Sequence, residues 1–541
     1  MIHAGMYFAV GEAIGKRSDL ILAHGVMGTH GGMVMTHPGL PLGWALPTFV
    51  GMILIAVLAV AAAPPGERPA RFVNLATVPG WGAVMRFLTG ASWPLSLLKT
   101  LFAAAFLAVI VCGLFGSAIA ERNLATVLTW NLWWTLVIIS VFFLGSAWCA
   151  VCPWDTVASW LVKRRPWWRR AKSGGNLQVP RPLRRIWPAL VLFLGLTWLE
   201  LGWGVTRSPF MTALLALFMV VLAAFFLAVF ERKAFCRYAC PVGRTIGCYS
   251  QLAPVELRPV DADVCARCTT LECYNGSETV EPCPTHLTMG RFAQNTYCTS
   301  CGACALSCPQ ANVGWRLRSV AAEARAGARP HWDEAWFMLT LWTVTAFHGL
   351  TMRPYWGDWM QTLGRAIGDS RHLIVSFSLS LVACIAIPIL VYVLAVAVTR
   401  RLSSPTVSFR RWFSVLSFSV LPVAFSYHLA HNLSHVARES GGLGNVLANP
   451  LGVDTAPLKM MALHARQANL LLPEQLMHAL QAGIMVLGFW LAVEVLRYRG
   501  REFRIGGGSL SGWRLVPMLI FLGGASAGNL LLLVHEMAMR L

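Results

Sequence analysis

Ten stretches of the chain are apolar for long enough, or nearly so, to cross ~30 Å of hydrocarbon as helices. They lie near Leu42–Ala63, Leu95–Ala118, Thr126–Ala147, Pro188–Val205, Phe210–Phe230, Ala335–Leu350, Leu373–Val398, Phe413–His431, Glu474–Leu496 and Trp513–Val534. The sixth and eighth are short. One long polar segment, Glu231–Asp333, interrupts the series. The pattern predicts an all-α polytopic membrane protein of about ten transmembrane helices with one inserted polar domain. Residues 1–37 hold no basic stretch followed by an apolar run, so no cleavable signal peptide is expected.

Composition agrees with a membrane chain. Apolar residues make up 56% and charged residues 13%, about half the charged share of a soluble protein. A soluble enzyme, a disordered chain and a collagen-like chain are excluded. The net charge of +20 would suit nucleic acid in isolation, but its distribution has another cause. If the N-terminus lies outside, 33 of the 44 Lys and Arg fall on one side, in runs such as Lys163–Arg165, Arg181–Arg185, Arg400–Arg401 and Arg497–Arg504. Positively charged loops mark the cytoplasmic face. Both termini are therefore expected to be extracytoplasmic in a bacterial cytoplasmic (inner) membrane, and no nucleic-acid partner is expected.

This topology separates the cysteines from the histidines. Thirteen of fifteen Cys fall on the cytoplasmic side, and twelve of fourteen His fall on or near the outer side. Cys298-Thr-Ser-Cys301-Gly-Ala-Cys304-Ala-Leu-Ser-Cys308-Pro309 is a complete bacterial ferredoxin run, in which three thiolates hold one cubane and the fourth reaches a neighbouring one. Upstream stand Cys265, Cys268, Cys273 and Cys283-Pro284. Eight ligands suit two [4Fe-4S] clusters: Cys265, Cys268, Cys273 and Cys308 for one, and Cys298, Cys301, Cys304 and Cys283 for the other. Cys149-Ala-Val-Cys152-Pro153 closes the third helix, and Cys236-Arg-Tyr-Ala-Cys240-Pro241 follows the fifth. The two pairs suggest a diverged internal repeat whose four thiols meet. They could hold a third [4Fe-4S] cluster or copper, or form a redox-active thiol pair.

A Cys-x-x-x-Cys-Pro motif after a membrane helix, followed by a two-cluster ferredoxin loop, resembles the polytopic membrane ferredoxins of the NapH, NosR and CcoG group. The resemblance covers roughly Leu95 to Arg318 and is carried by the twelve Cys named. It implies an all-α polytopic membrane protein with an inserted cytoplasmic two-cluster ferredoxin-like domain. The expected organisation is a Met/His-rich extracytoplasmic tail at 1–41, a five-helix membrane core at 42–235, the iron–sulfur domain at 236–333 and a five-helix membrane domain at 334–541.

The outer side carries a second chemistry. The tail holds His24, Met27, His30, Met33, Met35 and His37 within fourteen residues, and imidazole with thioether favours copper. His428, His431 and His435 share one face of the eighth helix, His478 opens the ninth, and His535 lies near the C-terminus. These eight histidines are candidate copper ligands, axial ligands of haem b, or the wall of a quinone site, with Glu200 available for proton transfer. Buried imidazoles within a membrane mark a functional site by default.

The expected function is electron transfer across the membrane, from cytoplasmic clusters through the helix-end thiols to an outer acceptor, in support of a periplasmic metalloenzyme. Redox partners are then expected on both sides. The alternatives are copper handling by cupric reduction during metalloenzyme maturation, and a docking subunit of a respiratory complex.

Overall fold

A computed structural model describes residues 36–66, 72–90, 92–163, 176–403, 406–459, 461–462, 470–503 and 510–538. Eight of its helices are long and apolar enough to cross a membrane. Among them are α1 (Leu42–Ala61), α2 (Trp93–Phe115) and α3 (Leu124–Leu144), which contains a π-helical stretch at Val127–Trp133. Two of the ten expected spans fall outside that set. The fourth, α4 (Trp187–Gly202), has 16 residues. Next come the spanning helix α5 (Pro209–Val229) and the short α6 (Pro241–Tyr249). The sixth expected span is α7 (Trp332–Thr351), which has Asp333 and Glu334 in its first turn, carries four Thr and His348, and is buried along most of its length. Protein rather than lipid surrounds it, so its sequence never needed a fully apolar surface.

The remaining spans are α8 (Ile374–Ser403), α9 (Val420–Glu439), α10 (Glu474–Arg499) and α11 (Val516–Val534). Helix α9 is central, with nearly every residue buried. It runs past the expected end at His431 to include His435 and Glu439. Its main neighbour is α10, and a Cβ on Gly488 of α10 would meet the Ser426 side chain at 2.2 Å. Only hydrogen there lets the two backbones approach so closely.

The bundle has two chemically distinct ends. At one, strands β1 (Thr36–His37) and β5 (Met537–Ala538) pair antiparallel, so the two ends of the described chain meet, as an even number of crossings requires. At the other, β2 (Phe72–Asn74), β3 (Val255–Pro259) and β4 (Val313–Arg318) form an antiparallel sheet in the order β2-β4-β3. Sequence reading put β2, from the α1–α2 connection, in no element; three residues are too few for a legible pattern. The sheet buries an ion network. Glu256 pairs with Arg258, Arg316 and Arg318 at 3.0, 2.7 and 2.5 Å, and Glu323 pairs with Arg258 and Arg318. Buried charges hold only when fully paired. Glu323 also accepts from the Asn295 backbone N–H at 2.8 Å, which ties the sheet to the stretch before Cys298. Arg499 caps the carbonyls of Ala324 and Ala328 at 2.7 and 2.8 Å, fastening this cysteine-rich segment to the end of α10.

Candidate functional site

The eight thiols of the 265–308 segment fall into two sets. Cys273 lies in the electrostatic field of Cys265, Cys268 and Cys308. Cys304 lies in that of Cys301, Cys298 and Cys283. Each set has three near thiols and one from the opposite arm. The two Cys–Pro arms share one conformation. After Cys283-Pro284 the chain passes through His286 at φ +56, and after Cys308-Pro309 through Ala311 at φ +47. Each left-handed step turns the next N–H back onto the thiol, Leu287 N to Cys283 Sγ at 3.3 Å and Asn312 N to Cys308 Sγ at 3.4 Å. Ser300 N donates to Cys298 Sγ at 3.3 Å, and the Asn312 side chain reaches Cys265 Sγ at 3.5 Å. Hydrogen bonds to sulfur stabilise negative charge there and raise the potential of a bound cluster. Burial pushes the Cys298 thiol up to about 11 and the Cys304 thiol well above its usual range; a bound metal favours the thiolate at such positions.

The helix-end thiols form a third set. Cys152 feels Cys236 and Cys240, and Cys236 feels Cys240 and Cys149. Burial pushes Cys149 up to about 12, with Cys240 adding to it. Cys240 is the N-cap of α6 and accepts from Gly243 N at 3.3 Å. Asp155, from the helix Pro153–Lys163, lies 3.7 Å from Cys236 Sγ and 2.5 Å from Lys233 Nζ. Burial acts to raise the Asp155 carboxyl, but Lys233 overrules it and holds the group below its usual range. Sequence reading missed Asp155 and Lys233; each stands three residues from a motif Cys, which was the available signal.

The third set abuts the second. Cys149 lies in the field of Cys298, and Ser146 Oγ is 2.7 Å from Ser300 Oγ. Arg244 of α6 donates to the carbonyls of Thr296 and, at 2.8 Å, Cys236. A Cβ on Gly247 would meet Thr296 O at 2.1 Å, so α6 lies directly on the backbone leading into Cys298. Cys304 in turn feels Cys273 of the first set. Three thiol sets thus follow one another in series. Among the described residues, no three His, Cys, Asp or Glu groups stand close enough to hold a single metal ion.

A family of 4Fe-4S binding domains matches the chain in two stretches, 126–174 and 211–252. Each stretch carries one helix-end thiol pair, in keeping with an internal repeat. In these two stretches the chain is similar to ferredoxin-type 4Fe-4S proteins. It is 32% identical over 135 residues to the "Putative electron transport protein YccM" of Escherichia coli (strain K12). That match covers 24% of this chain and 34% of the relative, so the chain spans about a third of that protein's length. No solved structure matches.

At the opposite end of this membrane protein the histidines are brought together only in part. His24 and His30 lie outside the described residues. His37 is buried with its ring centroid 6.2 Å from that of His435. Burial, with the nearby charges of His435 and Arg438, pushes His37 down to about 4 and keeps it neutral. His435 spends both nitrogens on hydrogen bonds, Nδ1 to Glu439 Oε1 at 2.8 Å and Nε2 to His431 Nε2 at 3.2 Å. His348 stands 5.5 Å from His431, ring to ring. His428 turns instead to Tyr249 OH at 3.2 Å. His478 is buried, whereas His535 is exposed against Tyr355. The expected single-ion copper set is therefore not assembled among the described residues. The i, i+4 spacing placed His431 and His435 side by side, and Glu439 one turn on fixes the His435 ring through its Nδ1.

A cavity of about 1230 Å³ joins the two ends. It begins at Ser300 and Cys301, passes Pro153 and Pro241 beside the helix-end thiols, and reaches Glu200, His348, His428 and His431. Its wall is otherwise mostly aliphatic and aromatic. The rings of Trp148, Trp133, Trp134 and His428 follow one another at 5.9, 5.8 and 5.8 Å between centroids.

Proposed function

We propose that this protein carries electrons across the membrane between its thiol end and its histidine end. In this reading Cys265, Cys268, Cys273 and Cys308 hold one [4Fe-4S] cluster, and Cys298, Cys301, Cys304 and Cys283 hold a second. Cys149, Cys152, Cys236 and Cys240 hold a third. Bound clusters supply one-electron exchange at potentials set by hydrogen bonds, charge and burial. The chain's own residues do the rest. Leu287, Ser300, Asn312 and Gly243 offer N–H groups to sulfur, and Lys233 and Arg244 bring positive charge to the helix-end set. The observation that carries the reading is the series itself: three adjoining thiol sets, the last of them bordering a cavity that leads to the other end. Tunnelling falls exponentially with distance, so a series that brings electrons from the loop to the edge of the cavity shortens what remains of a ~30 Å crossing.

The reading takes α4 and α7 as crossings as well, which makes ten. The basic loops at the thiol end make that end cytoplasmic and the histidine end extracytoplasmic. A soluble electron carrier then docks at the thiol end, and an acceptor or donor at the other. The test is anaerobic purification with iron and acid-labile sulfide analysis, followed by Cys240→Ser. Iron without zinc is expected, and the variant should keep the loop clusters while losing electron throughput. Unchanged throughput would refute the role of the helix-end set, and zinc in place of iron would refute the reading altogether.

A further inference from the structure

The two halves of the repeat support their helix-end thiols in the same way and then depart at two positions. In each half the N–H four residues after the Cys that precedes Pro closes onto that cysteine's carbonyl, Thr156 onto Cys152 and Arg244 onto Cys240, both at 3.1 Å. The N–H three residues after it reaches the sulfur, from Asp155 in the first half and from Gly243 in the second. The backbones therefore match. The side chains do not, because a carboxylate stands where the other half has only hydrogen. The second departure lies three residues before each thiol pair, where the first half has Ser146 and the second has Lys233.

These two unmatched residues meet across the repeat. Asp155 Oδ2 is 2.5 Å from Lys233 Nζ, with both side chains largely buried, and each holds the other ionised. The second carboxylate oxygen, Asp155 Oδ1, is 3.7 Å from Cys236 Sγ. Lys233 N donates to Pro284 O at 3.2 Å, so the lysine also borders the Cys283–Pro284 arm of the neighbouring set. An ion pair that only fastened the two halves together could stand anywhere along their contact. Placed against a ligand sulfur it acts on that sulfur. A carboxylate there opposes an added electron, an ammonium favours one, and buried charges are little screened by salt. The other charges around the set are Lys99, Lys163, Arg244 and Glu281.

We propose that Asp155 and Lys233 set the reduction potential of the helix-end site, the carboxylate lowering it and the ammonium raising it. The proposal rests on the electron-transfer reading above, with Cys149, Cys152, Cys236 and Cys240 as cluster ligands. Neither residue is itself a ligand. Both are positioning residues that act through Cys236 and the field around it. Their opposed charges separate this role from packing: removing one or the other should move the potential in opposite directions, whereas a loosened fold has no reason to distinguish them.

The experiment uses anaerobically purified full-length protein, poised at a series of potentials and read by electron paramagnetic resonance. The helix-end signal is the one that Cys240→Ser removes. Asp155→Asn is expected to raise, and Lys233→Met to lower, the equilibrium constant for its one-electron reduction by about tenfold each, or about 59 mV. Lys233→Arg keeps the charge and should match wild type. The double variant Asp155→Asn with Lys233→Met should fall between the two singles. The signal that Cys268→Ser alters, from the most distant set, should keep its potential throughout. Shifts of the same sign in both single variants, or no shift in either, would overturn the proposal and leave the electron-transfer reading intact. Loss of the helix-end signal in every variant, Lys233→Arg included, would assign the pair to folding alone and also overturn it. Wild-type protein without iron would defeat the electron-transfer reading, and this proposal with it.

Discussion

Replacing Gly247 with alanine asks whether the helix-end thiols and the loop thiols are held as one unit. Gly247 lies on the face of α6 that rests on residues 295–297. An added Cβ would sit 2.1 Å from Thr296 O, 2.9 Å from its carbonyl carbon and 3.1 Å from its Cα. All three atoms are backbone, so no rotamer change relieves the overlap. Contact distances of ~3.5 Å then require the two segments to part by about 1 Å. Overpacking on this scale costs about 1–3 kcal/mol. The same shift strains the Gln251 bond to Thr296 Oγ1, 2.9 Å long, and the Arg244 bond to Thr296 O, each worth about 0.5–1.5 kcal/mol if lost. A local loss of about 2 kcal/mol is the low estimate. At 1.4 kcal/mol per factor of ten, opening of the stretch before Cys298 becomes roughly thirtyfold more frequent. Hydrogen exchange at residues 295–301, read by mass spectrometry, reports that opening directly. Gly195→Ala in α4, where an added Cβ meets nothing within 4 Å, is the control and should leave exchange there unchanged. Wild-type exchange in Gly247→Ala would refute the docking argument, and with it the physical basis for passing electrons between the two sets.

Three further outcomes follow from the same geometry. Because the two Cys–Pro arms are conformational twins that serve opposite sets, Cys308→Ser should alter the spectroscopic signal of one cluster and Cys283→Ser that of the other; identical spectra from the two variants would break the assignment. Burial acts to raise the Glu256 carboxyl, but Arg318, Arg258 and Arg316 hold it below the usual range, so its stabilisation is complete above about pH 4.3 and is lost as pH falls further. The cysteine-rich segment should therefore lose its visible absorption at lower temperature in acid, and Glu256→Gln should cost about 3–5 kcal/mol at neutral pH; a melting point independent of pH and of the variant would count against the network. Alkaline phosphatase fused after Leu541 should be active and fused after Ser277 inactive, as the basic loops demand, and the opposite pattern would invert the direction assigned to the whole molecule.

Much of this protein was legible in the order of its residues, because the determining interactions are local. A helix that must shed water from its backbone reads as an apolar run, and all ten runs became helices. Cys298, Cys301 and Cys304 recur at every third residue, so they stand out as one candidate set. The ends of the bundle separate by charge because Lys and Arg accumulate in alternate loops. Tertiary structure decided what depends on distant partners. Apolar periodicity does not say which helices touch, so the shielding of α7 by protein, the seating of Gly247 on Thr296 and the recruitment of β2 to β4 had no local trace. The same limit applies at the histidine end. Spacing grouped His428, His431 and His435 as equals, but only packing shows Tyr249 taking the first, Glu439 engaging the third, and His535 left at the surface. A residue's chemistry is written in its type; its partner is set by the other segments that fill the space around it.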